Sequence, residues 1–120
     1  MNMREIRFYK TESGKNPISD FLDSLNSKQS QKVTWVLQLI EELPMIPSQY
    51  LKKLVNTDEI WEVRVGTGTD IFRLLGFFDG SHLIILNHGF QKKTRKTPRQ
   101  AIKIAEKRKK DYFSRKSGRH

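Results

Sequence analysis

Two arginines sit inside stretches that otherwise read as β-strand. Arg64 lies in Glu59-Ile60-Trp61-Glu62-Val63-Arg64-Val65, and Arg73 lies in Ile71-Phe72-Arg73-Leu74-Leu75-Gly76-Phe77-Phe78. Alternation puts Arg73 on the face of Ile71, Leu75 and Phe77, where a charge needs a partner or a purpose. A guanidinium is a planar fork of donors that matches phosphate oxygens in pairs, so two on neighbouring strands make a phosphate site. The plainer account pairs Arg64 with Glu62 or Glu59 and leaves Arg73 capping a sheet edge. The run Lys92-Lys93-Thr94-Arg95-Lys96 follows the next apolar stretch directly and brings more positive charge to the same end; Lys52 and Lys53 form a further rim. Glu59 and Glu62 read as partners of these cations rather than as general bases.

Of three histidines, His88 stands at a strand end beside the basic run, and its proton exchange near neutral pH suits acid–base work. The competing reading is a polar edge residue. His82 follows a turn, and His120 is terminal. No His, Asp or Glu grouping has metal-ligand spacing and there is no cysteine, so neither metal nor cofactor is expected. Gly66-x-Gly68 precedes a strand rather than a helix, which argues against a dinucleotide loop. A site of Arg and Lys can still stabilise the charged transition state of phosphoryl transfer. RNA supplies its own nucleophile in the 2′-OH, which DNA lacks.

The elements that must position these residues follow from periodicity and turn signals. Residues 4–9 alternate as an opening strand. Asn16-Pro17 reads as an N-cap and first helical position, followed by Ile18, Phe21, Leu22 and Leu25 on one stripe. A second helix runs from about Ser27 to Leu43 on Val33, Val36, Leu37, Ile40 and Leu43, stopped by Pro44 and Pro47. Three strands follow, over 59–65, 71–78 and 82–88, joined at Gly66–Thr69 and Asp79-Gly80 as an antiparallel meander. Thr97 and Pro98 announce a last helix, with Thr97 as its cap. Ile102, Ala105, Tyr112 and Phe113 give it an apolar face interrupted by Lys109; Arg99, Lys103, Lys107 and Lys110 fall on its wet side, and the chain frays beyond about Ser114. The expected fold is α+β, in the order β-α-α-β-β-β-α, one antiparallel sheet with helices on one face, in a single domain over 1–120.

Charge points to the partner. Residues 1–91 hold ten Lys/Arg against eleven Asp/Glu, whereas 92–120 hold thirteen against two, so the net charge of +10 comes from the last quarter. Clustered cations of this kind release counterions on meeting a polyanion. No run of 18 apolar residues and no apolar leader is present, which makes a cytoplasmic protein without membrane contact the expectation.

The ordered string Lys52-Lys53-Leu54, Ile60-Trp61-Glu62-Val63-Arg64, Phe72-Arg73 and His88-Gly89-Phe90-Gln91-Lys92-Lys93-Thr94-Arg95-Lys96-Thr97-Pro98 resembles the phage-derived Gp49-like branch of HigB toxins, within the RelE/ParE superfamily. The likeness covers about residues 4–113. It implies a RelE-like fold and the toxin of a type II toxin–antitoxin pair that cleaves mRNA on the ribosome without metal. It further implies a HigA-like helix-turn-helix antitoxin, and operator DNA reached through that antitoxin. On matching positions Arg64 and Arg73 bind phosphate and stabilise the transition state, while Lys92, Lys93 and Lys96 orient RNA. Arg95, Arg99, Lys103, Lys107, Lys52 and Lys53 extend the RNA-binding surface. The general base stays open among His88, Lys92, Lys93 and Tyr112. Two other classes compete: a ParE-like toxin that blocks DNA gyrase without cutting anything, and a basic RNA- or DNA-binding module without activity.

Overall fold

The apolar alternation of the central stretches resolves into a five-stranded sheet. The computed structural model describes residues 2–118; His120 lies outside them. In chain order the elements are β1 (Glu5–Phe8), α1 (Pro17–Asp23), α2 (Ser27–Glu42), β2 (Leu51–Lys53), β3 (Trp61–Thr67), β4 (Asp70–Asp79), β5 (Leu83–Gln91) and α3 (Arg99–Lys116). The sheet order is β1-β5-β4-β3-β2. The α+β class and the central meander are as the sequence predicts. Asn16 caps α1 by accepting from the Ser19 N–H at 3.0 Å, with Pro17 opening the helix.

Three expectations from the sequence are corrected. A short strand, β2, pairs antiparallel with β3 through Leu51↔Val63, Lys52↔Glu62 and Lys53↔Trp61; three residues are too few to show a period. The sheet is mixed rather than antiparallel, because β1 runs parallel to β5 (Glu5↔Leu83 to Phe8↔Leu86). A hairpin turn forces antiparallel neighbours, but β1 reaches β5 only through two helices and the whole meander, which leaves its direction free.

The third correction concerns layers: helices cover both faces of the sheet. Strands β4 and β5 are apolar on both sides, so one layer of helix does not suffice. Ile18, Val33, Val36, Leu37 and Ile40 of the helical hairpin close over Val63, Val65, Phe72, Leu74, Ile84 and Leu86. On the other face α3 sets Ala101 and Ala105 against Ile60 and Leu75. Tyr112 and Phe113, further along α3, pack on Phe77 at ring separations of 5.3 and 5.4 Å. Lys109 interrupts that stripe without breaking it. Its ammonium lies 5.9 Å from the Phe77 ring centre and donates to the Asp58 carbonyl at 2.6 Å, so the stem is buried and the charge is not. The helix continues through Lys116, past Ser114.

A β-bulge in β5 ties the sheet to α3. Leu75 pairs with His88 but Gly76 pairs with Leu86, so Asn87 is the extra residue. Asn87 is buried, donates to the Ala105 carbonyl at 3.0 Å, and accepts from Arg108 on its own carbonyl at 2.6 Å. Gly76 is required opposite the bulge: a Cβ there would stand 2.1 Å from the Ile85 carbonyl oxygen.

Candidate active site: a paired-arginine face

Register brings the two arginines together. Arg64 of β3 and Arg73 of β4 are directly paired, so their side chains leave the sheet side by side on the face that α3 covers. The α3 helix shields the Leu75 and Phe77 end of that face. The arginines lie further along the same face, toward Ile71, outside the apolar contacts that α3 makes with Ile60, Leu75 and Phe77. Arg73 is only 8% exposed, while the Arg64 side chain is 30% exposed.

One carboxylate stands between them. Glu62 lies two residues before Arg64 on the same face and is 2% exposed. Its Oε1 is 3.4 Å from Arg64 Nε and 3.5 Å from Arg73 Nε. Neither contact has hydrogen-bond geometry: both Nε atoms are buried and make no hydrogen bond. Arg73 instead spends one terminal nitrogen on the Phe72 carbonyl at 3.0 Å. Glu62 Oε2 is taken by the Thr97 hydroxyl, which donates to it. Thr97 therefore does not cap α3; Pro98 holds the cap position, with no side-chain bond. The helix starts one residue later than the cap signal suggests, and the Thr97 hydroxyl serves a buried anion that needs a donor.

Lys92 completes the cluster. Its N–H donates to the Ile71 carbonyl at 2.7 Å, which continues the strand pairing one step past β5. Burial lowers the Lys92 pKa, and the Arg73 and Arg64 charges lower it further against the opposing pull of Glu62. Burial is also the main cause that lowers Arg73, with Arg64 adding to it and Glu62 opposing. Three cations thus share one carboxylate, leaving the face with an unmet demand for negative charge. A cleft of about 420 Å³ at the exposed edge of β3, between α2 and the sheet, reaches both arginines; Lys32, Val36, Tyr50, Arg64, Ile71 and Arg73 are among its lining.

The other residues singled out in the sequence are not all brought to this cluster. Lys52 pairs with Glu62 in register and so belongs to the arginine face, whereas Lys53 pairs with Trp61, falls on the opposite face and bonds Glu59 at 3.5 Å. Lys93, Arg95 and Lys96 are exposed in the loop between β5 and α3, and Arg99, Lys103 and Lys107 are exposed along α3. None of these six makes an ion pair among the described residues. His88 shares the arginine face but stacks on Phe90 at 5.4 Å. Burial and the nearby Arg108 lower its pKa to about 4, so its ring is neutral at neutral pH. Tyr112 is outside the cluster: its hydroxyl donates to Asp79 at 2.6 Å, and burial with that bond raises its pKa to about 12.

Thr97 and Phe90 were not visible as site residues in the sequence. Thr97 carried a strong helix-cap signal that concealed its other use. Phe90 is the direct strand partner of Arg73, a relation that depends on the bulge. Among the described residues no three His, Asp or Glu side chains are grouped so as to hold a metal ion, and no helix is long and apolar enough to cross a membrane.

The family described as Phage derived protein Gp49-like (DUF891) matches residues 20–110, a span that includes Glu62, Arg64, Arg73, Lys92 and Thr97. The chain belongs to that family, which is toxin-like. No curated protein matches the chain.

Proposed function

We propose that this Gp49-like protein is a HigB-like toxin of the RelE/ParE superfamily, the endoribonuclease half of a type II toxin–antitoxin pair, carried on a single domain. The observation that supports this most is the register pairing of Arg64 with Arg73 around one shared carboxylate, with both Nε atoms buried and unbonded. An oxyanion entering the cleft supplies the negative charge that three cations around one carboxylate leave unmet. Phosphate in RNA is such an oxyanion, and the exposed cations of the 92–96 loop and α3 supply a track for the flanking chain.

In this reading the RNA 2′-OH attacks the adjacent phosphorus as its proton leaves. The P–O5′ bond breaks, the 5′ oxygen takes up a proton, and the other fragment ends in a 2′,3′-cyclic phosphate. Arg64 and Arg73 stabilise the extra negative charge on the phosphoryl oxygens. Lys92 is the proton-transfer candidate placed beside them, since its lowered pKa moves it toward the range where a lysine exchanges protons. His88, stacked on Phe90 of the same face, and Lys93 in the exposed loop remain as alternatives. The substrate is mRNA on the translating ribosome, in the cytoplasm. The natural partner is a HigA-like helix-turn-helix antitoxin, which also brings the pair to operator DNA.

Expression in growing cells with cleavage sites mapped by primer extension tests the reading. It expects cuts in translated mRNA that vanish when ribosomes are stalled before initiation and when Arg73→Ala is introduced. Growth arrest with intact mRNA and induced DNA damage would transfer the assignment to a gyrase-directed toxin.

A further inference from the structure

We infer that Thr97 is a positioning residue: through its hydroxyl bond to Glu62 it holds the carboxylate midway between Arg64 and Arg73 and keeps both guanidinium groups available to phosphate. This rests on the reading of the arginine face as a phosphate site and deepens it.

The geometry of Glu62 is unusual for a buried carboxylate with two arginines at hand. The strong arrangement for such a pair is bidentate, with two parallel N–H···O bonds to one guanidinium. Glu62 makes none. Its Oε1 stands 3.4 Å from one Nε and 3.5 Å from the other, equidistant and bonded to neither. What prevents collapse onto one arginine is the other oxygen, which accepts the Thr97 hydroxyl. Rotating the carboxylate into a bidentate pair would break that bond.

The tether also has a place in the chain. The basic loop is fastened at its start by the Lys92 N–H to Ile71 on β4, and at its end by Thr97 to Glu62 on β3. It therefore spans the two arginine-bearing strands, and Lys93, Arg95 and Lys96 are held at the rim of the face. Without the Thr97 hydroxyl, Glu62 turns onto one guanidinium, satisfies its Nε, and withdraws that fork from the phosphate. The face keeps its charge and loses its geometry. Because the proposed chemistry depends on two aligned forks, turnover falls more than binding does.

The test compares wild type, Thr97→Val, Thr97→Ala and Thr97→Ser. Removing the hydroxyl should shift the Nε–Hε resonances of both Arg64 and Arg73 in ¹⁵N NMR and weaken the response of those signals to added inorganic phosphate. It should also reduce kcat on RNA by about 10- to 100-fold with little change in KM. Thr97→Ser, which keeps the donor, returns each readout toward wild type. Thr97→Ala does not push a methyl against the carboxylate and gives the result if the valine variant fails to fold. Unchanged arginine resonances in folded Thr97→Val or Thr97→Ala overturn the inference, as does a serine variant as impaired as they are. Should wild type not cut RNA, the nuclease reading falls, while the resonances and the phosphate titration still decide the role of Thr97.

Discussion

Neutralising Glu62 is the most informative perturbation of the free protein. The carboxylate is 2% exposed and lies 3.4 and 3.5 Å from two guanidinium nitrogens. At an effective dielectric of about 20 each contact is worth ~5 kcal/mol of attraction, which desolvation of the three groups offsets in large part. Measured losses on removing one partner of a buried pair run about 3–5 kcal/mol. The low end applies to Glu62→Gln, because the amide keeps the shape and an acceptor for Thr97, and because Arg64 is 30% exposed on its side chain and screened by water. A loss of about 3 kcal/mol lowers Tm by roughly 10–15 °C in a domain of this size. The cause is specific: two directly paired arginines left without a countercharge. Phosphate should therefore replace what the mutation removes. At a hundredfold excess over its Kd it returns about 2.7 kcal/mol. In the wild type the resident carboxylate repels the same anion, so phosphate stabilises it less. Thermal and urea unfolding of both proteins, in phosphate and in chloride at matched ionic strength, measures this directly. Glu62→Gln within about 1 kcal/mol of wild type, or equal stabilisation of both by phosphate, refutes the account of the arginine face.

Other regions of the fold carry their own expected outcomes. His88 is neutral in the fold with a pKa of about 4, against about 6.5 in the unfolded chain, so the unfolded state binds the extra proton. Stability should thus fall as pH drops from about 6.5 to about 4 and stop changing on this account below that, by at most ~3 kcal/mol and by about 2 once partial exposure is allowed for. His88→Asn should flatten the step, and a His88 ring titrating near 6.5 by NMR would contradict it. The Asp79 and Asp111 carboxylates, held low chiefly by Lys116 and Arg115, add their losses only at more acidic pH. Gly76→Ala should destabilise by about 3 kcal/mol in urea unfolding, since its Cβ meets the Ile85 carbonyl at 2.1 Å; a loss under 1 kcal/mol would mean that the bulge yields easily. Alanine at Arg99, Lys103 and Lys107 should each reduce the slope of log K against log salt for binding RNA or ribosomes by about 0.7–1. Slopes unchanged in the triple variant would remove α3 from the docking surface.

Much of the fold was legible in the residues, for reasons that are local. Asn16-Pro17 and Asp79-Gly80 encode their cap and turn within a few bonds, and Arg64 and Arg73 betray themselves as charges in apolar strands. What the sequence concealed depends on distant partners. Helices cover both faces because β4 and β5 are apolar on both sides, yet only the folded chain shows that Ala101 and Ala105 are small enough to let α3 approach there. The parallel pairing of β1 is a consequence of the path through α1 and α2 and leaves no mark in its four residues. Thr97 fits a local rule in sequence and a tertiary one in the structure, because the Glu62 carboxylate that accepts its hydrogen bond sits 35 positions away. Lys53 and Lys52 look equivalent as neighbours, but the two-residue period of a strand sends them to opposite faces.

The central claim is that Arg64 and Arg73 act on an RNA phosphate while the 2′-OH of the same chain attacks it. Cleavage of ribosome-bound mRNA by the purified protein, with the product ends identified, tests it most directly. The account predicts a 2′,3′-cyclic phosphate end, abolition of the cut by a single 2′-deoxy substitution at the cleaved position, and a slowing of about 10²- to 10³-fold in Arg73→Ala. Undiminished cutting of the deoxy-substituted strand, or by Arg73→Ala, would contradict it.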